Sequence, residues 1–183
     1  MPGANTLSAA PDAECIERGA KYFCQIDRAG RSRSGKVYDE RRVLRWQYGI
    51  RDNPPGRLRG NPFRKAQFVF AEADGTAESV IHRVSFIPSR FEITDNGSVI
   101  GRIGMRSPLR IKYTIDIDKV GSWTFRLPLF TVRFHGESVG GTDIWVIVGP
   151  SKMEWNILVR PGISNRHLVA ALAFIHNEWW NYS

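Results

Sequence analysis

Toward the C-terminus of this 183-residue chain, eight apolar residues follow one another without a break: Leu168 to Ile175, LVAALAFI. Pro161-Gly162 ends the segment before them, and Ser164 offers a hydroxyl to cap the first turn, so the sequence predicts a helix over residues 164–181. A helix lying on a protein surface needs one apolar stripe. A helix that is apolar all round is either a membrane span or is enclosed by protein. A span takes about 20 apolar residues, and this run is too short. Its walls must therefore come from the rest of the chain. Ala170, Ala171 and Ala173 keep the helix thin enough for those walls to approach closely.

The available wall material is β-strand. From Lys65 onward the apolar residues recur with period two. AQFVFAEADG places Phe68 and Phe70 on one face before an Asp74-Gly75 turn, and SVIHRVSFI is mostly β-branched and aromatic. RFEITDNGSVIGRIG holds Phe91 and Ile93 ahead of Asn96-Gly97, the dipeptide that most readily takes the two positive-φ positions of a tight hairpin. IKYTIDI alternates Ile111, Tyr113, Ile115 and Ile117. SWTFRLPLFTVRFHG alternates too, with a parity slip at Pro128-Leu129 that predicts a bulge, bend or edge. DIWVIVG is apolar on both faces, and EWNILV alternates Trp155, Ile157 and Val159. The fold class that satisfies both patterns is mainly β: a closed antiparallel barrel with the C-terminal helix threaded through it. The competing arrangement, a helix laid across one sheet, would need only one apolar stripe.

FEITDNGSVIGRI, the tyrosine strand after it and the final apolar helix together resemble the tubby C-terminal-like superfamily, nearest its LURP-one-related and phospholipid scramblase-like branch. FAEADGTAESVIHRV looks like a weaker copy of the same strand–turn–strand element. The resemblance covers about Lys65 to Trp180. It implies about twelve strands around a central helix, together with lipid binding of the kind tubby proteins show and the lipid movement claimed for scramblases. No phosphoinositide-binding constellation or calcium motif of the family is matched, so no functional residue carries over. The expected division is residues 1–20 disordered, residues 21–64 a basic arm or N-terminal extension, and residues 65–183 the tubby-like barrel.

Charge marks the arm. Residues 18–65 hold fourteen Lys or Arg against four acids, net +10, while residues 1–17 are net −3 and residues 66–183 net +1. RAGRSRSGK and RDNPPGRLRGNP have the Gly, Pro and Arg texture of turns and open chain. VYDERRVLRWQYGI between them has enough apolar surface to form a short helix or strand that docks on something. The arm is thus either a flexible basic tail or a first layer of the domain. Arg28, Arg31, Arg33, Lys36, Arg41, Arg42 and Arg45, interleaved with Tyr38 and Trp46, are the candidate anion-binding residues. This mix suits anionic lipid headgroups. It equally suits a nucleic-acid backbone with rings to stack on bases, or a solvated surface without a partner. Arg102, Arg110, Lys112, Arg126 and Arg133 fall at polar strand positions and could form an outer stripe on the barrel.

Catalytic chemistry finds little support. His82 and His135 lie in strand patterns without a Cys, Ser or carboxylate at a recognisable spacing, and His167 and His176 bracket the apolar helix, where each can cover an end. GKVYDE lacks the glycine-rich lead-in of a phosphate loop, and VGGTD reads as a hairpin loop. Asp116 and Asp118 read as a strand end and turn. Cys15 and Cys24, nine apart with no second pair, read as two free thiols rather than a zinc site. The N-terminal stretch lacks the basic start and apolar run of a secretory signal. The expectation is a non-enzymatic, cytoplasmic binding module without cofactor or metal. Its partner is anionic phospholipid at the periphery of a membrane or, alternatively, nucleic acid or protein engaged through the basic arm.

Overall fold

The computed structural model describes residues 10–27, 34–52, 66–86, 88–106, 111–127, 133–151 and 153–182. A short helix, α1 (Ala13–Arg18), precedes β1 (Ala20–Ile26), β2 (Ser34–Asp39), β3 (Leu44–Asp52) and β4 (Ala66–Glu72). The chain continues through β5 (Glu78–Phe86), β6 (Ser89–Asp95), β7 (Ser98–Arg106) and β8 (Ile111–Ile117). It ends with β9 (Gly121–Leu127), β10 (Arg133–Ser138), β11 (Gly141–Val148), β12 (Glu154–Val159) and the long helix α2 (Arg166–Tyr182). Each strand pairs antiparallel with its neighbours in sequence, and β1 pairs with β12. The sheet is therefore a closed barrel, an arrangement that leaves no strand edge unpaired.

The helix runs through the middle. Leu168 to Ala173 and Ile175 are 0 % exposed and Phe174 is 4 % exposed. Side chains alternate in and out along each strand, and the inward set meets the helix. Phe174 packs edge-on against Phe91 at 4.7 Å and Phe68 at 5.5 Å. Ile81, Ile93, Ile103, Ile115, Phe125 and Trp155 are among the largest fully buried side chains. Each such burial stabilises the fold by about 1.5–3 kcal/mol. Space is tight: a Cβ on Gly136 would lie 2.4 Å from the Phe125 ring. The Asn96-Gly97 hairpin forms as expected, with φ of 49° and 79°. Both thiols are free and buried.

Four local expectations change. The barrel begins at Ala20, not near Lys65, because β1, β2 and β3 supply three of its staves and β1 closes the ring. Part of the supposed disordered start is α1, capped by Asp12, whose Oδ1 accepts from the Cys15 amide at 2.8 Å. The helix cap is Asn165 rather than Ser164: Asn165 Oδ1 accepts from the His167 amide at 2.8 Å, while Ser164 Oγ bonds the Tyr22 hydroxyl. SWTFRLPLFTVRFHG is a hairpin rather than one slipped strand, since Gly136 pairs with Phe125 and Glu137 with Thr124. Pro128-Leu129 lies outside the described residues.

Polar groups meet at the helix entrance. The Arg166 guanidinium donates to Asp95 Oδ2 at 2.8 Å and Ser79 Oγ at 3.0 Å, and reaches Glu72 at 3.5 Å. His167 Nε2 is 3.1 Å from the same Asp95 oxygen. The other bracketing histidine, His176, is buried and stacks on Trp155 at 4.4 Å. Asp95 thus holds the first turn of α2 to the β6–β7 hairpin. Asp95→Ala is expected to cost about 1–3 kcal/mol by leaving half-buried donors unanswered, a fall of roughly 2–4 °C in Tm for each kcal/mol. An unchanged melting curve would show that Glu72 and Ser79 suffice.

Candidate functional site

The two rims of the barrel differ. One is built of tight turns and admits α2. The other joins each odd-numbered strand to the next even-numbered one. Register places the end of β1 beside the start of β2, with Ile26 opposite Gly35, and repeats this at Asp52–Ala66, Phe86–Ser89 and Arg106–Lys112. In sequence these strand ends are joined by residues 27–33, 53–65, 87–88, 107–110, 128–132 and 149–153. Most of these residues lie outside the described set. Their sequence holds nine Lys or Arg and a single acid, Asp27, for a net +8. The remainder of the chain carries 17 of the 26 basic residues and 17 of the 18 acids, and is neutral.

The described strands carry cations on the outer wall. Lys112 and Arg126 stand directly opposite one another on β8 and β9, one register step from the rim, and the Arg106 backbone on β7 is in register with Lys112. Like charges opposite each other across a sheet repel, which lowers stability by a few tenths to 1 kcal/mol per pair. Among the described residues no salt bridge reaches Lys112 or Arg126, whereas Arg102 further down the wall sits 3.6 Å from Glu92. Arg133 is exposed at the start of β10, on the same rim. An anion is what these cations accommodate at least cost. The sequence showed Lys112, Arg126 and Arg133 as polar strand positions. Their alignment, and the place of Arg106 in it, depends on cross-strand register.

The arm residues divide. Arg28, Arg31 and Arg33 lie outside the described residues, as does Arg110. Lys36 is half-buried on the outward side of β2. Arg41 and Arg42 are exposed in the β2–β3 turn, at the opposite rim, and Arg42 (φ 61°) holds its guanidinium carbon 3.7 Å over the Phe23 ring. Arg45 is paired with Asp39 at 2.7 Å. The Asp39 carboxyl is held below its ordinary range by the Val43 amide above all, with Arg45 and the Arg41 amide adding to it. Trp46 is turned inward, between Tyr22 at 5.5 Å and Phe70 at 5.7 Å. The reason is parity: Trp46 shares the inward side of β3 with buried Tyr48, while Arg45, Gln47 and Arg51 face out. Of the described members of the expected patch, Lys36 lies on β2, Arg41 and Arg42 lie in the β2–β3 turn and Arg45 is paired, while the tryptophan packs inward.

No family model, curated protein or solved structure matches the chain.

The remaining chemistry-bearing groups are scattered. His82 Nε2 is 3.9 Å from Glu92, and His135 Nε2 is 2.8 Å from Glu137, both on the outer wall. Burial pushes the Cys24 thiol far above its ordinary range, which leaves it protonated and unreactive. Among the described residues no three His, Cys, Asp or Glu side chains are grouped to hold a metal ion. No helix among them is long and apolar enough to cross a membrane.

Proposed function

We propose that this protein is a non-enzymatic module that binds anionic phospholipid at the periphery of a membrane through the basic rim of its barrel. The observation that carries this reading is the pair Lys112 and Arg126, two outward like charges in direct register, in a chain whose strand-joining segments hold nine cations to one acid in sequence. A flat, anionic surface is a natural counterpart of outward cations near one end of a barrel. The resemblance of FEITDNGSVIGRI and the enclosed helix to tubby-like proteins supports the same partner class. Nucleic acid or a protein partner is the alternative. Base stacking on single strands needs accessible rings, and the tryptophan that the sequence offered for it, Trp46, is packed inside.

The test is co-sedimentation with phosphatidylcholine vesicles containing phosphatidylserine, beside a gel-shift with single-stranded nucleic acid. Each cation near an anionic leaflet is worth about 1 kcal/mol. Lys112→Gln with Arg126→Gln should therefore weaken vesicle binding roughly 30-fold. Wild-type binding should fall steeply between ~50 and ~200 mM salt as screening shortens. Both side chains face outward, so the melting temperature should not fall. Salt-insensitive binding, an unaffected double variant, or tighter binding to nucleic acid than to vesicles would overturn the proposal.

A further inference from the structure

The run Ile144 to Val148 on β11 is apolar at every position, although only one side of the strand faces the core. Ile144, Val146 and Val148 point inward and are buried. Trp145 and Ile147 point outward, where a barrel of this kind carries polar side chains. Register extends the apolar surface across three strands. Trp145 stands opposite Leu158 on β12, and Leu158 opposite Lys21 on β1. One step nearer the basic rim, Ile147 stands between Arg133 on β10 and Asn156 on β12, and Asn156 opposite Phe23. These side chains line a groove of about 310 Å³ whose far end is closed by Ala10 and Pro11. Trp145 is 7 % exposed beneath that end, whereas Ile147 remains 45 % exposed. The lining includes two cations, Lys21 and Arg133, and no carboxylate.

We infer that this groove takes one acyl chain of the anionic phospholipid. The inference rests on the reading of the basic rim given above and adds a second contact to it. The occupant must be apolar along its length, and a lining with two cations and no carboxylate favours an anionic end. A peptide fits poorly. The strands beneath are paired on both sides, so they offer no edge to extend, and the lining is mostly apolar, its uncharged polar groups including Asn156 and the Tyr22 hydroxyl, which is already bonded to Ser164. A hydrocarbon chain needs no hydrogen bonds. With its headgroup at the rim by Arg133, it would run down the wall past Phe23 and Ile147 toward Leu158 and Trp145.

The full-length protein with phosphatidylcholine–phosphatidylserine vesicles brominated on their acyl chains tests this, since bromine quenches only tryptophans it can approach. Wild-type emission should be quenched on binding. Trp145→Phe should lose most of that quenching and still sediment, because the groove stays apolar. Ile147→Glu should lose the quenching and bind about tenfold more weakly, with an unchanged melting temperature because Ile147 is half-exposed. Glycerophosphoserine, the same headgroup without chains, should not compete at matched concentration. Sedimentation without quenching in the wild type, or quenching that survives Ile147→Glu, overturns the groove and leaves the rim reading intact. Failure to sediment with any anionic vesicle overturns both. Self-association that Ile147→Glu abolishes, again without quenching, makes a second copy of this chain the occupant and overturns the acyl-chain proposal.

Discussion

Removing residues 1–60 should leave a chain that no longer folds. From the sequence alone such a truncation looks harmless, because the segment reads as a basic arm beside a complete barrel. In the structure it takes away β1, β2 and β3, three consecutive staves, and with them the β1–β12 seam that closes the ring. The truncated sheet would have two open edges, at β4 and β12, with backbone donors and acceptors exposed along each. Such edges promote pairing between chains. The buried side chains Cys24, Ile26, Val37 and Tyr48 would go as well, leaving one flank of α2 uncovered. At about 1.5–3 kcal/mol for each large apolar side chain, that loss alone rivals the 5–15 kcal/mol by which a domain of this kind is stable. The expected outcome is aggregated protein, or a soluble fraction without a cooperative melt by circular dichroism. A soluble truncation with the parent's melting temperature would show that nine strands can enclose the helix unaided.

That misplaced boundary has a physical source. The helix supplies so much of the interior that the first strands need few apolar residues of their own. β2 has a single large apolar inward residue, Val37, beside Gly35, where a Cβ would lie 2.2 Å from the Tyr48 ring. A strand whose inward side is one valine and one glycine does not announce itself by periodicity. The Gly, Pro and Arg texture of residues 28–33 and 53–65 marks connections between strands, not a separate arm. Where the pattern is strong the reading held: Asn96-Gly97 made its hairpin, and Tyr113, Ile115 and Ile117 all face the core. The candidate site was legible as charge but not as place. Which cations share a rim is decided by strand direction, and which stand opposite one another is decided by register. Neither Lys112 beside Arg126 nor Trp46 pointing inward can be read from a window of the sequence. The two apolar faces of DIWVIVG were visible there, and the groove is their consequence.

The second large effect concerns the helix. Ala171→Asp should be as damaging as Leu172→Asp, although alanine is small and a surface helix would tolerate the change on its outer side. Ala170, Ala171, Leu172 and Ala173 are all 0 % exposed, so four successive positions, more than a full turn, are walled in. An aspartate at any of them meets packed side chains and has no path to water. A buried, unpaired carboxylate costs several kcal/mol or takes up a proton. Either result takes a large share of the total stability. Leu172→Ala should cost less, about 2–5 kcal/mol, from lost burial and the cavity left behind. The acidic variants also carry a signature that the cavity variant lacks. Desolvation raises the folded-state pKa of the new carboxyl above its unfolded value of about 3.9. The folded state then binds more protons than the unfolded state over the interval between those values, so stability must fall as pH rises through it. Ala171→Asp should thus lose more ground against the parent at pH 7 than at pH 4, whereas the deficit of Leu172→Ala should vary far less with pH. Thermal melts of Ala170→Asp, Ala171→Asp and Ala173→Asp at both pH values separate the alternatives. If one of the three kept the parent's melting temperature, α2 would have a wet face, and the helix would lie against a sheet rather than inside a barrel.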